Sequence, residues 1–155
     1  MTTAAAKRGG APVGFLAELD PVAASAVTYL RLWCDGPAAR SQVEQDFTIA
    51  LGHDRGRNVL RSFQSLCELC GQHGRRPLMR HHVDCKCLGA DESCFANFIG
   101  YASEGACEDA LLMATALVRP DMAPLLVGLA QDFGMALRCM STPASPPQLK
   151  PHTLH

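Results

Sequence analysis

Seven cysteine and histidine side chains fall within twenty-one consecutive positions near the middle of this chain. They are Cys67, Cys70, His73, His81, His82, Cys85 and Cys87. Zinc binds cysteine thiolates and histidine nitrogens in tetrahedral sites, which two short knuckles joined by a spacer commonly supply. Cys67-x-x-Cys70 has the spacing of one knuckle, and Cys85-x-Cys87, separated from it by fourteen residues, is a tighter second one. The spacing therefore predicts a zinc site in this stretch.

The predicted metal ligands are the four cysteines, and any of the three histidines could replace one of them. Cys67, Cys70, Cys85 and Cys87 form the primary set, with His73, His81 and His82 as alternates. Of the two adjacent histidines, at most one is expected to bind the metal. Four thiolates could also hold an iron–sulfur cluster, so zinc and iron both stay open. The remaining thiols, Cys34, Cys94, Cys107 and Cys139, lie in predicted helices and are interpreted as core residues.

Positive charge is concentrated around the same stretch. Residues 55 to 86 carry seven basic side chains against two acidic ones, although the whole chain has a net charge of −1. Four of these cations lie beside the predicted ligands: Arg75, Arg76, Arg80 and Lys86. They predict a binding surface for an acidic protein or a nucleic acid. The alternative is that the cations only offset the charge of metal-bound thiolates.

The pattern of apolar residues predicts that helices position this site. Helical spacing indicates one helix capped by Asp20, a second over Pro37 to Leu51, a third over about Arg57 to Cys70, and further helices near 91–102, 106–118 and 121–137. Residues 106 to 118 contain so few polar side chains that they are expected to form the central, fully buried helix. No segment alternates as a β-strand does. The predicted fold is all-α, a single compact bundle of five or six helices with one Cys/His-rich loop, ordered by metal, over residues 71 to 90.

The predicted organisation is a flexible N-terminal arm over residues 1–14, a single helical domain over 15–140 and a disordered tail over 141–155. The composition, 48% apolar and 19% charged, is typical of a globular chain. The first twenty residues lack an apolar run long enough for a signal peptide or a membrane span. We therefore expect a cytoplasmic protein without membrane association, and in a reducing compartment clustered cysteines indicate metal ligands or reactive thiols rather than disulfides.

Two hypotheses about function follow from these residues. The first is a non-enzymatic interaction or regulatory module, in which a zinc-ordered basic loop binds the acidic partner. The second is a thiol- or metal-dependent function that uses the same cysteines, namely a redox sensor, an iron–sulfur protein or a zinc enzyme, since neighbouring cations favour thiolate formation. The first is preferred because the spacing indicates no pair of nucleophile and base. The partner and the oligomeric state do not follow from the sequence.

Overall fold

The computed structural model describes residues 8 to 141, which are mostly helical. Six α-helices are present in this range: α1 Pro21–Trp33, α2 Pro37–Leu51, α3 His53–His73, α4 Ala90–Ser103, α5 Cys107–Leu117 and α6 Ala123–Ser141. Short 3-10 helices precede α1, at Leu16–Glu18, and connect α5 to α6, at Pro120–Met122. The all-α prediction is thus confirmed in outline. No helix among the described residues is both long and apolar enough to span a bilayer.

The ends of the first three helices follow from local chemistry. Asp20 caps α1 by accepting a hydrogen bond from the Ala23 N–H at 2.9 Å, and α2 has the predicted bounds. Gly52 adopts a φ of +85° between α2 and α3, a conformation that side chains disfavour. α3 continues through Gly71 and ends at His73, because Gly71 keeps a helical conformation. The irregular Cys/His segment is therefore shorter than predicted and runs over residues 74–86, here called the Cys/His loop.

A small antiparallel sheet pairs β1, Pro12–Phe15, with β2, Cys87–Gly89. The pattern of apolar residues did not predict these two strands. Strands of four and three residues are too short to show alternation, and they pair only because the folded chain brings them together. Residues 12 to 14 of the predicted flexible arm belong to β1. Residues 1–7 of that arm and residues 142–155 of the predicted tail lie outside the described range.

The core contains fully buried aromatic side chains from α2, α3, α4 and α6. Phe95, Phe98 and Ile99 of α4 are buried, and Phe133 of α6 stacks on Phe63 of α3 with ring centroids 4.5 Å apart. α4 packs against α1, α5 and α6. Each helix therefore packs one face against this centre. α4 also carries the side chains that bind the Cys/His loop.

The prediction that residues 106 to 118 form the central buried helix is wrong. In α5 only Ala110, Ala114 and Leu117 are buried, whereas Leu111 is 40% and Leu112 71% exposed. The helix packs on α4 and α6 from one side only. An apolar composition does not require burial, because much of a protein's surface is itself apolar.

The four outlying cysteines were predicted to be core residues, and for three of them this is wrong. Cys34, Cys107 and Cys139 are exposed, whereas Cys94 is half-buried. The exposed three lie just after α1, at the first residue of α5 and in the last turn of α6. Helix ends emerge from the core, so helical periodicity alone overstated their burial.

Candidate functional site

A buried arginine organises the Cys/His loop. Arg31 of α1 donates from Nε and Nη2 to both carboxylate oxygens of Glu92, at 2.6 and 2.9 Å. Its Nη1 donates to the carbonyls of His82 and Cys85, at 3.2 and 2.6 Å, and Nη2 donates to the carbonyl of Cys87 at 2.7 Å. All five N–H donors of the guanidinium are therefore used. Arg31 fixes three backbone positions of the segment that carries the predicted ligands.

Glu92, in the first turn of α4, completes this arrangement. Its carboxylate also accepts hydrogen bonds from the backbone N–H groups of Gly89 and His81, at 3.0 and 3.2 Å. Burial on its own would raise the pKa of Glu92, but these hydrogen bonds and the Arg31 charge outweigh it, so the pKa lies below its ordinary value. The hydrogen bonds and charge of Glu92 in turn raise the pKa of Arg31. The pair is therefore ionised at neutral pH.

A second carboxylate of α4 holds the beginning of the loop. Asp91, also buried, accepts two hydrogen bonds from the guanidinium of Arg76, one of them at 2.7 Å, and a third from the Met79 N–H at 2.7 Å. The Asp91 side chain, in the first turn of α4, thus binds the loop. Two arginine–carboxylate pairs thus order the residues for which the sequence suggested a metal.

Two of the predicted ligand residues, His81 and Cys85, meet near the end of the loop. His81 Nδ1 lies 3.7 Å from Cys85 Sγ, and His81 Nε2 lies 2.9 Å from the Gly10 carbonyl oxygen. A carbonyl oxygen can only accept, so Nε2 carries a proton, and in the neutral tautomer with that proton the unprotonated nitrogen is Nδ1, which faces the Cys85 thiol. The ring also packs against Gly89, where an added Cβ would lie 3.0 Å from it. The tautomer and position of His81 are therefore set by its neighbours.

Cys87 lies beside Cys85, and both thiols are half-buried. Loss of solvation, the charge of Cys85 and a hydrogen bond between the two side chains raise the pKa of Cys87 above its ordinary value, although the nearby Arg31 opposes this. The Cys87 thiol is therefore protonated at neutral pH. The His81 imidazole and the thiols of Cys85 and Cys87 thus lie in one region of the structure.

Cys67 and Cys70 occupy a different environment. Both line a cleft of about 190 Å³, whose walls also include Cys34, Leu66, Leu78, Phe95 and Arg80. Burial raises the pKa of Cys70 to about 12 and that of Cys67 well above its ordinary value. Such thiols are protonated and unreactive at neutral pH.

The predicted four-cysteine ligand set is not assembled. Cys67 and Cys70 line the cleft, whereas Cys85 and Cys87 face His81 and Arg31. Within residues 8–141 there is no group of three or more His, Cys, Asp or Glu side chains that could hold a metal ion. Of the alternate ligands, His73 Nδ1 lies 3.1 Å from Arg119 and exposed His82 lies 3.7 Å from Asp84. Zinc and iron both stay predictions.

The four predicted partner-binding cations fall into two classes. Arg76 is paired with Asp91, and Arg75 donates from Nε to the Thr115 carbonyl at 2.5 Å, so both stabilise the fold. Arg80 and Lys86 are exposed, and Arg80 lines the mouth of the cleft. Partner binding through these residues stays a prediction.

The residues that sequence reasoning missed are the ones that hold the loop, Arg31 and Glu92. A signal for Arg31 was present, because it follows buried Val27 by four positions and so lies on the core face of α1. A charge at a core position requires a partner. The sequence does not show which of the fifteen acidic residues provides it.

Comparisons of this chain with protein-family models, with curated proteins and with solved structures find no match.

Proposed function

We propose that this protein is a thiol-based redox switch in which Cys85 is the reacting thiol, His81 its proton acceptor and Cys87 the resolving thiol. The observation that carries the proposal is the orientation of His81. Its Nε2–H is bound to the Gly10 carbonyl, so its basic Nδ1 faces Cys85 Sγ. A thiol next to a positioned base is the usual arrangement for an activated cysteine nucleophile.

The reaction that fits this geometry is oxidation by a hydroperoxide. The Cys85 proton passes to His81, and the sulfur attacks the peroxide oxygen; the O–O bond breaks, and the leaving alkoxide or hydroxide takes up the proton. Cys85 is now a sulfenic acid. The Cys87 sulfur then attacks the Cys85 sulfur, a disulfide forms, and the departing oxygen leaves as water with the Cys87 proton. The pair has lost two electrons and two protons, which a dithiol reductant can return.

The arrangement suits a regulatory role because the backbone of both cysteines is bound to a residue of the helical core. Arg31 holds the carbonyls of both cysteines and pairs with Glu92 of α4. A disulfide across the single intervening residue, Lys86, forms a small ring that alters the backbone at both cysteines. Oxidation of Cys85 and Cys87 would therefore affect α1 and α4 through the guanidinium of Arg31.

The test is to oxidise the reduced protein with a tenfold excess of hydrogen peroxide, to alkylate the free thiols and to digest the product with trypsin. Cleavage after Lys86 separates Cys85 from Cys87, so a disulfide keeps the two peptides together, and fragmentation of the linked pair distinguishes Cys87 from Cys94 and Cys107 of the same peptide. We expect this linked pair to form first. His81→Gln should slow its formation by about 100-fold or more, the usual contribution of a general base. Cys139→Ser, which alters an exposed thiol at the end of α6, is the matched control and should leave the rate unchanged.

Equal rates of oxidation at Cys85 and Cys139 would overturn the proposal. So would an unaltered rate in His81→Gln.

Zinc on the same cysteines is tested separately by metal analysis of freshly purified protein and of the variants Cys67→Ser and Cys85→Ser. A four-thiolate site requires that each change lowers the zinc content. Because the two pairs of thiols face different surroundings, we expect the two variants to have the metal content of the parent protein. Stoichiometric zinc that is lost in both variants would support the four-cysteine site instead.

A further inference from the structure

The outer face of α5 is an apolar surface with charged ends. Glu108, Leu111, Leu112 and Thr115 recur at helical spacing on one side of the helix. Leu111 is 40% exposed and Leu112 71% exposed. Both leucines lie outside the core, although they occupy the middle of a helix that the rest of the chain covers on its other side.

The two ends of this face carry opposite charges. Glu108 and Asp109 in the first turn are exposed, and neither forms an ion pair with any residue between 8 and 141. At the other end, Arg75 is held at the Thr115 carbonyl, and Arg119 follows the helix, 56% exposed in its side chain and 3.5 Å from Asp121. Acidic side chains at the N-terminus and basic side chains at the C-terminus interact favourably with the helix dipole. They also make this face negative at one end and positive at the other.

We propose that the occupant of this face is a second copy of the chain, packed with its α5 antiparallel to the first. A two-fold axis at Leu112 aligns residue 108 of one copy with residue 116 of the other, since each lies four positions from Leu112. Glu108 then approaches the Arg75 that lies beside Thr115 of the partner copy, and the same contact occurs twice. Such an isologous interface is self-complementary in both shape and charge. The exposed leucines bury one another between the two ion pairs.

The role of the leucines is tested by sedimentation velocity over a range of protein concentrations. Wild-type protein should show a dimer fraction that rises with concentration. Leu112→Glu should be monomeric at concentrations where the wild type is mostly dimeric. Ile49→Glu is the matched control, because Ile49 of α2 is 84% exposed and lies on another helix; it should behave like the wild type. A wild type that is monomeric throughout, or a dimer that persists in Leu112→Glu, would overturn the inference.

The antiparallel arrangement is tested by charge reversal. Glu108→Arg sets two positive side chains against each other at both contacts with Arg75, and Arg75→Glu sets two negative ones against each other there, so each variant alone should dimerise at least tenfold more weakly. Mixed in equal amounts, they should recover dimerisation, because each acidic end then meets a basic end. If the Arg75→Glu protein does not fold, Arg119→Glu replaces it. Folded variants that fail to recover dimerisation on mixing would exclude the antiparallel pairing. These measurements use reduced protein, so their outcome is independent of the redox proposal.

Discussion

At the scale of single residues, the buried Arg31 is the group on which the site depends most. Its side chain is 1% exposed and that of Glu92 0%, so the loss of one partner leaves an uncompensated charge in the core. Arg31→Met should lower the free energy of unfolding by about 3–5 kcal/mol, the usual cost of breaking a buried pair. Urea unfolding at neutral pH measures this. Arg61→Met, a change of the same type at an exposed position of α3, should stay within about 0.5 kcal/mol of the wild type.

The Glu92 carboxylate also predicts how stability depends on pH. Its pKa is lower in the folded protein than its ordinary value, so over the interval between the two the unfolded chain binds more protons than the native one. The contribution of Glu92 to stability is therefore complete above the unfolded pKa of about 4.5 and is lost as the pH falls through the folded pKa. In urea unfolding from pH 6 downwards, Glu92→Gln should be less stable than the wild type at pH 6 and should lose less stability on acidification. Parallel pH profiles for the two proteins would contradict this assignment.

At the scale of elements, two glycines of α6 contrast a close helix–helix contact with an open position. A Cβ at Gly134 would lie 3.0 Å from the Ile99 carbonyl oxygen and 2.9 Å from the Ser103 Cβ, both in α4, whereas Gly128 has open space around it. Gly134→Ala should therefore destabilise the protein by about 1–3 kcal/mol, because α4 and α6 must separate. Gly128→Ala should stabilise it by up to about 1 kcal/mol, the helix propensity difference. Thermal unfolding of both variants tests the contrast. Destabilisation by both changes to the same extent would show that the close approach at Gly134 is not decisive.

At the scale of the whole molecule, the eight cysteines should separate by accessibility. Cys34, Cys107 and Cys139 are exposed, whereas burial raises the pKa of Cys70 to about 12. We expect the exposed thiols to be alkylated by iodoacetamide at pH 8 at least tenfold faster than Cys70, because the thiolate is the nucleophile and burial suppresses it. Mass spectrometry of timed samples assigns each site, and the protein unfolded in urea serves as the control in which the difference disappears. Rapid alkylation of Cys70 in the native protein would show that the cleft opens.

The sequence by itself determined the features that depend on neighbouring residues. Helical periodicity, the Asp20 cap and the prolines at residues 21 and 37 located α1 and α2, because each of these effects acts within a turn or two of the chain. The Cys/His cluster located the irregular segment, and its second half, with His81, Cys85 and Cys87, is where the candidate site lies.

Only the tertiary structure decided what orders that segment and which thiols meet. Arg31 and Glu92 are 61 residues apart, and the Gly10 carbonyl that orients His81 is 71 residues from it, so no local pattern pairs them. Nor does a local pattern show the surroundings of Cys67 and Cys70. Their spacing resembles a zinc knuckle, but both side chains line the cleft. Burial, partner choice and the face that a helix presents are properties of the packed chain. They arise when distant segments exclude water from one another, and for that reason α5 is a surface helix and Arg31 a core residue.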